Sequence, residues 1–492
     1  MSEQEQEVRR GRLESLREAG VDPYPARVEP FEGIASVRSA HDGKDEETLD
    51  KEAPQTAVVG RVRAKRSFGK LLFLEVEEAG SRLQLSARKG ETPDEVFAGL
   101  KQVDVGDFLR VAGRVWRTKK GELTVAAETL ALLSKSLRPL PEKWHGLSDV
   151  EARFRQRYLD LMANPRAREI AVLRSRTVSS LRSFLDERGF LEVETPVLQP
   201  LYGGAAARPF VTHHNTLDQQ LYLRISDELY LKRLIVGGLD RVYEIGHNFR
   251  NEGISRKHNP EFTMVECYQA YADYRDMMDL AEALVQHVAQ KALGRLDFEY
   301  QGESVDLSGS WPRVKLGDAI AAATGVDVFA TDDVASLRQA LANAGQPDVD
   351  APTWAKAVDE LFSRAVEPTL IQPTFITDYP APLSPLAKRS PDDPRIVERF
   401  ELFLGGFELA NAFSELNDPD DQRERFEEQR RAAATGDEEA HPMDEDYLAA
   451  LEYGMPPTGG LGIGIDRLVM VLADAGNLRE VILFPHLRPE SS

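Results

Sequence analysis

The chain has 492 residues, of which 42% are hydrophobic, which is enough apolar material for two or three domains with separate cores. Its formal net charge of −21 argues against a surface that coats nucleic acid throughout, although a local basic patch is compatible with it. A single cysteine, Cys267, excludes an intramolecular disulfide and any cysteine-rich metal site.

Residues 2–19 have the charge pattern of a solvated helix that stops at Gly20. The segment lacks the apolar core that a secretory signal needs, so we expect a cytoplasmic protein. No later segment reaches the ~18 consecutive apolar residues of a membrane helix, so we expect no membrane partner.

Five short apolar segments of even spacing, with glycine-containing turns between them, follow from Thr56 to Ser134. A short helix is predicted after the third segment, at "FAGLKQV". Five strands with a helix after the third are typical of an OB-fold barrel, which often binds oligonucleotides. The stretch "RVRAKRSFGK", residues 61–70, is basic without an acid and favours contact with a phosphate backbone. An exposed basic edge that only discourages aggregation is the alternative.

A connector with two prolines, "PLPEKWHG", marks the predicted domain boundary. We therefore predict one domain over residues 1–145 and a second over residues 146–492. Within the second domain, residues 285–390 are predicted as a largely helical insertion because their patterns are helical and rich in alanine.

The stretch "NFRNEGISRKHNPEF", residues 248–262, is predicted as a hairpin with a basic tip. Asn248, Arg250 and Glu252 share a face if they continue one strand. A guanidinium there can bind a phosphate, the basic tip can bind a terminal phosphate, and Phe262 can stack on a base. A charged surface hairpin, in which Arg250 and Glu252 form cross-strand pairs, explains the same residues.

The stretch "GGLGIGIDR", residues 459–467, is predicted as a glycine-rich strand that leads into a helix. Its spacing is neither that of a dinucleotide-binding loop nor that of a P-loop. Glycines at alternate positions allow close approach of something flat, with Arg467 in the first helical turn. Core packing is the alternative.

Acidic residues are frequent in the segment "ERFELFLGGFELANAFSELND", residues 398–418. Glu401 and Glu408 could hold Mg²⁺ together with a triphosphate, because magnesium prefers oxygen ligands and retains several waters. Solvated acids are the alternative. The later run "GDEEAHPMDED", residues 436–446, is predicted as a solvated loop.

These segments, in this order, resemble the class II aminoacyl-tRNA synthetases. The three class motifs are matched by "GFLEVETPVL", "NFRNEGISRKHNPEF" and "GLGIGIDR". Residues 203–238 and 407–422 resemble segments of the lysine-specific branch of bacterial type. The resemblance covers about residues 55–488 and implies an α+β protein. Its expected parts are a five-stranded OB-fold anticodon-binding barrel and a class II catalytic domain built on an antiparallel sheet flanked by helices.

The resemblance also implies the activity. ATP would activate L-lysine to lysyl-adenylate with release of pyrophosphate, and lysine would then pass to the 3′-terminal adenosine of tRNA(Lys). Mg²⁺ would accompany ATP, and the protein would be a homodimer.

The resemblance carries roles onto individual residues. The catalytic arginines would be Arg250 and Arg467. ATP would be bound by Arg250, Glu252, His258, Asn259, Phe262 and Arg467. Lysine would be bound by Gly204, Glu228, Glu266, Tyr268, Asn411, Phe413 and Glu415. Magnesium would be held by Glu401 and Glu408, and the anticodon by Arg66, Phe73 and Gln84. Pro196 would lie at the dimer interface.

Two positions depart from the family pattern. Lys257 stands where arginine is more common, which puts a bidentate contact at the hairpin tip in doubt. Ala412 replaces a common glycine, and its methyl group is expected to tighten the pocket.

Three other functions compete with this interpretation. An aspartyl- or asparaginyl-type synthetase would need a cationic amino-acid pocket, against which the acids at 228, 266 and 415 argue. A paralogue that transfers lysine to a protein would lack the barrel. A non-catalytic OB-fold nucleic-acid binder would have no need for Arg250, Glu252 and Arg467.

Overall fold

The computed structural model describes residues 3–140, 149–434 and 441–489. The chain divides into two compact units, of which the first is Met1–Val150 with Tyr158–Pro165 and the second is Glu151–Arg157 with Arg166–Ser492. The predicted boundary at 145/146 lies outside the described residues.

The first unit is built around a closed five-stranded barrel. Its strands are β1 (Gln55–Phe68), β2 (Leu71–Glu78), β3 (Ser81–Arg88), β4 (Phe108–Arg117) and β5 (Leu123–Ser134). Its helices are α1 (Glu3–Glu18), α2 (Ile34–His41), α3 (Glu46–Glu52) and α4 (Asp94–Gln102). The strand order β1-β2-β3-β5-β4, with the helix after the third strand, confirms the prediction of an OB-fold.

Alternation of side chains separates the barrel core from its outer face. Leu72 and Leu74 of β2 are buried in the core, whereas Phe73 between them is half-buried on the other face. Gly113 of β4 lies so close to β5 that a side-chain carbon there would be 1.8 Å from the Ala126 carbonyl oxygen, so only glycine fits.

A buried lysine, Lys135, follows the last barrel strand. Its Nζ donates to Asp104 at 2.6 Å and to Asp107 at 2.8 Å. Asp107 also accepts from the backbone N–H groups of Asp104 and Ser136, both at 2.8 Å. Arg12 pairs with Asp104 from α1. This network is therefore satisfied on every side, as a buried charge requires.

The second unit is organised by an eight-stranded sheet of order β14-β15-β16-β17-β18-β11-β10-β6. Its strands are β6 (Leu191–Glu192), β10 (Arg241–Phe249), β11 (Glu261–Ala270), β14 (Arg313–Lys315), β15 (Thr374–Pro380), β16 (Ile396–Phe403), β17 (Glu408–Ser414) and β18 (Thr458–Gly464). The six strands from β15 to β10 pair antiparallel, as predicted for the catalytic domain.

Two smaller sheets complete the strands. One contains β7 (Leu198–Gln199), β8 (Val211–His214) and β9 (Gln219–Leu223). The other contains β12 (Asp297–Tyr300) and β13 (Glu303–Asp306). The segment "FLEVETPVL", residues 190–198, contains β6 and the first residue of β7, so it does not form one continuous strand.

Helices cover the sheet and fill its core. They are α5 (Val150–Arg155), α7 (Pro165–Asp186), α8 (Glu228–Val236), α9 (Tyr274–Leu293), α10 (Leu316–Thr324), α11 (Val334–Asn343), α12 (Trp354–Ala365), α13 (Pro419–Ala434), α14 (Glu445–Glu452), α15 (Ile465–Leu472) and α16 (Leu478–Val481). Helix α6 (Arg157–Ala163) belongs almost wholly to the first unit. The long α9 begins with an Asp273 capping box and ends at Gly294 in a left-handed conformation. Its apolar face packs on the central strands β16, β17 and β18.

Residues 285–390 are less helical than we predict. They contain the end of α9 and helices α10–α12, but they also supply strands β12–β15. Strands β14 and β15 form one edge of the central sheet, so this segment is not only a helical insertion. The short β14 has too few residues to show a strand period in the sequence.

Candidate active site

A cavity of about 350 Å³ lies on one face of the central sheet of the second unit. It brings together most of the residues to which the resemblance assigns ATP, lysine or magnesium. These are Gly204, Glu228, Arg250, Glu252, His258, Asn259, Phe262, Glu266, Tyr268, Glu401, Glu408, Asn411, Phe413 and Arg467. They come from segments as distant in the chain as Gly204 and Arg467, which the fold of the second unit brings together.

The hairpin β10–β11 forms one wall of the cavity. Asn248 pairs with Phe262 across it, and the backbone N–H of Arg250 donates to the Pro260 carbonyl at 2.9 Å. Arg250 and Glu252 follow β10 and lie in the connecting loop, and both line the cavity. The guanidinium of Arg250 lies 5.1 Å from the centre of the Phe262 ring. The alternative of a hairpin with Arg250 and Glu252 paired across strands does not describe this loop.

Arg467 lines the cavity and is held in place by its own helix and by Glu408. Its guanidinium donates to the Glu408 carbonyl at 2.6 Å and to the carboxylate at 3.1 Å. The preceding residue, Asp466, accepts from the Thr263 backbone at 2.9 Å and pairs with Arg174. These contacts attach helix α15 to β11, so the position of Arg467 relative to the β10–β11 hairpin is fixed.

The basic tip of the hairpin is engaged within the second unit. Arg256 donates to the Gly476 carbonyl at 3.0 Å, and Lys257 pairs with Glu367 at 2.5 Å. His258 contacts Ser255 at 2.8 Å. Burial, together with the charges of Arg467 and Lys257, lowers the pKa of His258. In this state Lys257 is therefore a partner of Glu367, and a terminal phosphate would have to compete with that carboxylate.

Glu401 and Glu408 lie near each other at the ends of β16 and β17. Glu401 accepts from Tyr379 at 2.9 Å and from Arg399 at 2.5 Å. Burial raises the pKa of Glu401 to about 7, and the charge of Glu408 adds to that rise while Arg399 opposes it. Burial acts on Glu408 in the same direction, but Arg467 and Arg399 outweigh it and hold the pKa of Glu408 below its usual value.

The carboxylates of Glu401 and Glu408 suit a hard cation that takes its remaining ligands from another bound molecule. Among the described residues no group of three acids, histidines or cysteines could hold a metal by itself. Two carboxylates in a cavity can nevertheless contribute to a magnesium site whose other ligands are phosphate oxygens and water.

Acidic and aromatic side chains line the far end of the cavity. Ser226 donates to Glu266 at 3.1 Å, and the Tyr268 hydroxyl donates to the same carboxylate at 3.2 Å. Burial raises the pKa of Glu266 well above its usual value, and the neighbouring Asp227 adds to the effect. Gly204 has a φ of +88°, and a side-chain carbon there would meet Ser226 at 2.8 Å. This end of the cavity is therefore rich in negative charge and lacks room for a larger residue at Gly204.

Glu415 lies behind the wall of the cavity rather than in it. A side-chain carbon at Gly460 would be 1.9 Å from its Oε1 and 2.5 Å from the Tyr268 ring, so the glycine at 460 allows both groups to approach. Burial raises the pKa of Glu415 to about 8, which the charge of Lys232 opposes. Apart from that ion pair, its carboxylate oxygens accept no hydrogen bond from the residues the structure describes.

Lys232 is a functional candidate that sequence reasoning misses. It is completely buried, and its Nζ lies 2.5 Å from Glu228 and also pairs with Glu415. Burial opposes its charge, but the two carboxylates outweigh burial and its pKa is raised. The spacing of four residues from Glu228 on helix α8 is the only sequence signal that could have indicated the pair.

His441 corrects the prediction that residues 436–446 form a solvated loop. The part of that run before His441 lies outside the described residues, but His441 itself is 4% exposed and lines the cavity. Its Nδ1 is buried without a hydrogen-bond partner among the described residues. Burial and the nearby Lys232 lower the pKa of His441 to about 4, so its ring is neutral.

Ala412 does not narrow the cavity. It is buried in the core on the opposite face of β17 from Asn411 and Phe413, as alternation along a strand requires. The expectation that its methyl group tightens the pocket is therefore wrong.

The predicted anticodon residues lie together on the barrel. Arg66 and Phe73 are opposite each other on β1 and β2, and Gln84 lies on the next strand, two residues from the partner of Phe73. Gln84 donates to Thr124 at 2.9 Å. Phe73 lies on the outer face of β2 and not in the barrel core.

Only part of the basic stretch at residues 61–70 is open to solvent. Lys65 donates to the Lys101 and Val103 carbonyls at 2.6 and 2.8 Å, and Arg63 lies 3.4 Å from Glu77. Arg66 and Lys70 are exposed. A phosphate backbone could therefore meet two of these charges rather than a continuous basic strip.

Pro196 is exposed between β6 and β7 and lies outside the cavity. Leu191, Val197 and Leu198 around it are 52%, 41% and 49% exposed. The structure therefore presents apolar side chains at this segment. Within the described part of the chain, no helix is both long and apolar enough to cross a membrane.

Comparisons with known proteins agree with this geometry. The family described as tRNA synthetases class II (D, K and N) matches residues 149–488, and the OB-fold nucleic acid binding domain matches residues 56–133. A protein of Carboxydothermus hydrogenoformans named Lysine--tRNA ligase is 53% identical over 98% of this chain and 97% of its own length. Proteins of the same name from Roseiflexus sp. and Bacillus subtilis are 54% and 50% identical over 98% of this chain, and over 98% and 97% of their own lengths.

Proposed function

The chain belongs to the lysine--tRNA ligase family of class II tRNA synthetases, and from this premise we propose that it activates L-lysine with ATP and charges tRNA(Lys). The observation that carries the proposal is one cavity with two arginines at one end and buried carboxylates at the other. The first end suits a triphosphate and the second suits an amino acid with a cationic side chain. Such an enzyme would act in the cytoplasm.

Two transfers would take place in the cavity. The lysine carboxylate would attack the α-phosphate of ATP, and pyrophosphate would leave with its bonding electrons. A hydroxyl of the terminal ribose of tRNA would then attack the lysyl carbonyl, and AMP would leave. Neither transfer needs a nucleophile from the protein, so positioning and charge stabilisation account for the catalysis.

Arg250 and Arg467 would stabilise the charge that develops on the phosphates. Arg250 lies beside Phe262, so one wall of the cavity offers both a guanidinium and an aromatic ring. Phe262 would face the adenine from one side and Arg467 from the other. Glu252, His258 and Asn259 would complete the ATP site, with Glu252 accepting from the adenine amine.

Glu401 and Glu408 would hold Mg²⁺ with the phosphate oxygens. When bound, the ion would neutralise charge on the triphosphate and on the leaving pyrophosphate. The two acids differ in the direction of their pKa shifts, and the raised pKa of Glu401 would fall beside a cation. Arg399 and Arg467 would keep the acids oriented toward the cavity.

The acidic end would select the amino acid. Gly204 and Glu228 would receive the α-amine, and Tyr268, with Glu266 and Glu415 close by, would receive the side-chain ammonium. Asn411 and Phe413 would form the remaining wall. A neutral side chain would leave buried carboxylates without a cation, which is the costly state that gives selectivity.

The barrel and the exposed apolar segment would supply the other partners. Arg66, Phe73 and Gln84 would read the middle base of the anticodon by stacking and by edge contacts. Pro196, with the exposed apolar residues beside it, would lie in a homodimer interface.

Pyrophosphate exchange into ATP, measured separately with each of the twenty amino acids, tests the proposal. We expect exchange with lysine, followed by lysylation of a tRNA(Lys) transcript and none of a tRNA with another anticodon. Exchange with aspartate or asparagine would identify the related specificity. Absence of exchange with all twenty would favour a nucleic-acid binder.

A further inference from the structure

Lys232 connects the two ends of the amino-acid part of the cavity. We infer that it is a positioning residue that fixes the spacing between Glu228 and the Tyr268–Glu415 end, and that this spacing selects lysine over shorter diamino acids. The inference rests on the proposed function, because it assumes a substrate with two ammonium groups.

The contacts of Lys232 come from its own helix, α8, and from β17 and the residue that follows it. Its Nζ lies 2.5 Å from Glu228 of its own helix, pairs with Glu415 beyond the end of β17, and lies 5.7 Å from the centre of the Phe413 ring on β17. The side chain has no exposed surface. A cation that cannot turn toward water holds its two anionic partners at a separation set by its own radius.

The two partners stand at different ends of the substrate. Glu228 lines the cavity at the end assigned to the α-amine, and only its Oε1 accepts from Lys232. Glu415 packs beside the Tyr268 ring at the end assigned to the side-chain ammonium. A change in the length of the link between them would therefore change the distance between the two amine-binding ends.

The charge balance of this region fits the same substrate. Burial raises the pKa of Glu266 well above its usual value, and the neighbouring Asp227 adds to the rise. The three buried glutamates of this region, Glu228, Glu266 and Glu415, outnumber Lys232 by two. Lysine brings two ammonium groups, and its carboxylate would be matched by Arg250.

The neighbours of Lys232 do not alter this balance near neutral pH. The groups that face it are Glu228, Glu415, His441, Tyr447 and the ring of Phe413. Burial lowers the pKa of His441 to about 4 and raises the pKa of Tyr447, so both are uncharged. Among the described residues that face Lys232, the two acids are therefore the partners whose charge can respond to the substrate.

The discriminating experiment compares lysine with ornithine, which is one methylene shorter. Pyrophosphate exchange is measured for the wild type, Lys232→Met and Lys232→Arg. In Lys232→Met we expect the kcat/KM ratio of lysine to ornithine to fall about tenfold or more, since one methylene is worth roughly 10- to 200-fold in a fitted site. The KM for ATP should stay within about threefold. Lys232→Arg keeps the charge but alters the spacing, so it should recover lysine affinity while its ratio stays below that of the wild type.

A purely structural role gives a different result. If Lys232→Met weakens lysine and ornithine equally, the ratio is unchanged and the inference is overturned. Lys135→Met is the matched control, because Lys135 is also buried between two acids but lies in the barrel unit. It should leave the ratio at its wild-type value.

The inference can still be tested if the Lys232→Met variant fails to fold. If circular dichroism shows that Lys232→Met is unfolded, Lys232→Arg and the double variant Lys232→Met/Glu415→Gln, which removes one buried charge of each sign, provide the same readout. A wild-type ratio in either of them overturns the inference. Absence of lysine-dependent exchange in the wild type contradicts the proposed function instead.

Discussion

Two lysines of this chain, Lys135 in the barrel unit and Lys232 in the catalytic unit, are each buried between two acids. Both have side chains at most 1% exposed; the Nζ of Lys135 lies 2.6 Å from Asp104, and that of Lys232 lies 2.5 Å from Glu228. The acids around them differ. Asp107 accepts from Lys135 and from two backbone N–H groups, whereas Glu415 has no hydrogen-bond partner among the described residues beyond its pairing with Lys232.

The difference separates a structural ion pair from a binding site. A buried carboxylate with all its acceptors used can do no more than stabilise its surroundings. A buried carboxylate with unused acceptors is costly unless another donor arrives. In the catalytic unit such a carboxylate, that of Glu415, lies beside the cavity, as expected where a protein must bind a cation.

The largest expected effect comes from removing the acid with unused acceptors. Glu415→Gln should lower kcat/KM for lysine by about 100- to 1,000-fold, because loss of one partner from a buried charge pair costs about 2–5 kcal/mol. The KM for ATP should change by less than about threefold. Steady-state pyrophosphate exchange with varied lysine and varied ATP measures both. Equal losses for the two substrates would mean that Glu415 supports the whole cavity and not lysine binding.

Substitution of Lys135 in the barrel should lower the stability of that unit strongly and should leave the binding of the substrate lysine unchanged. Lys135→Met leaves Asp107 and Asp104 without their buried cation, so we expect the barrel unit to lose about 3–5 kcal/mol of stability. Urea unfolding followed by the fluorescence of Trp116, which lies in β4, measures this loss. Lysine KM in pyrophosphate exchange should be unchanged, and a raised lysine KM would contradict the comparison.

Lysine binding should release protons near neutral pH. Burial raises the pKa of Glu415 to about 8 and raises that of Glu266 well above its usual value, so burial opposes the ionised form of both acids in the free protein. An ammonium favours their ionised forms and lowers both pKa values on binding. Affinity should therefore increase with pH, by up to about tenfold per unit for each proton released, until pH 8.

Calorimetry in two buffers of different ionisation enthalpy at pH 6.5 measures the number of protons released. Glu415→Gln serves as the control and should release fewer protons than the wild type. Heats that are the same in both buffers would show that the acids are already ionised before lysine arrives.

The smallest effect is expected at the rim of the cavity. The pair between Lys257 and Glu367 is partly exposed, with Lys257 at 41%, so it should contribute less than about 1 kcal/mol. Glu367→Gln frees Lys257 for a phosphate and should lower the KM for ATP by about two- to fivefold, with lysine KM unchanged. Glu360→Gln on α12 is the control. An unchanged or higher KM for ATP would show that the contact does not compete with the triphosphate.

Sequence reasoning is most successful where the signal is local. The hairpin at residues 248–262 and the glycine strand at 459–464 are each contained in one short segment, and both line the cavity. The five barrel strands are identified by their spacing and confirmed by the structure. Phe73 on the outer face of β2 follows from simple alternation once the strand is known.

Contacts between residues that are distant in the chain cannot be predicted from local sequence patterns. Lys232 and Glu415 are 183 positions apart by their numbering and meet only because α8 packs near the end of β17. His441 stands in an acidic run that is typical of a solvated loop, yet tertiary packing buries it. Strand β14 joins the sheet through three residues, which is too short for a periodic pattern.

The order of strands in the central sheet also has a consequence during synthesis of the chain. Strand β18 lies between β11 and β17, but it is the last strand of this sheet to leave the ribosome. A nascent chain therefore carries open edges on β11 and β17 until Thr458–Gly464 emerges, and open edges invite pairing with other chains. Chaperone protection during translation should accordingly matter more for this unit than for the barrel, whose strands are complete by Ser134.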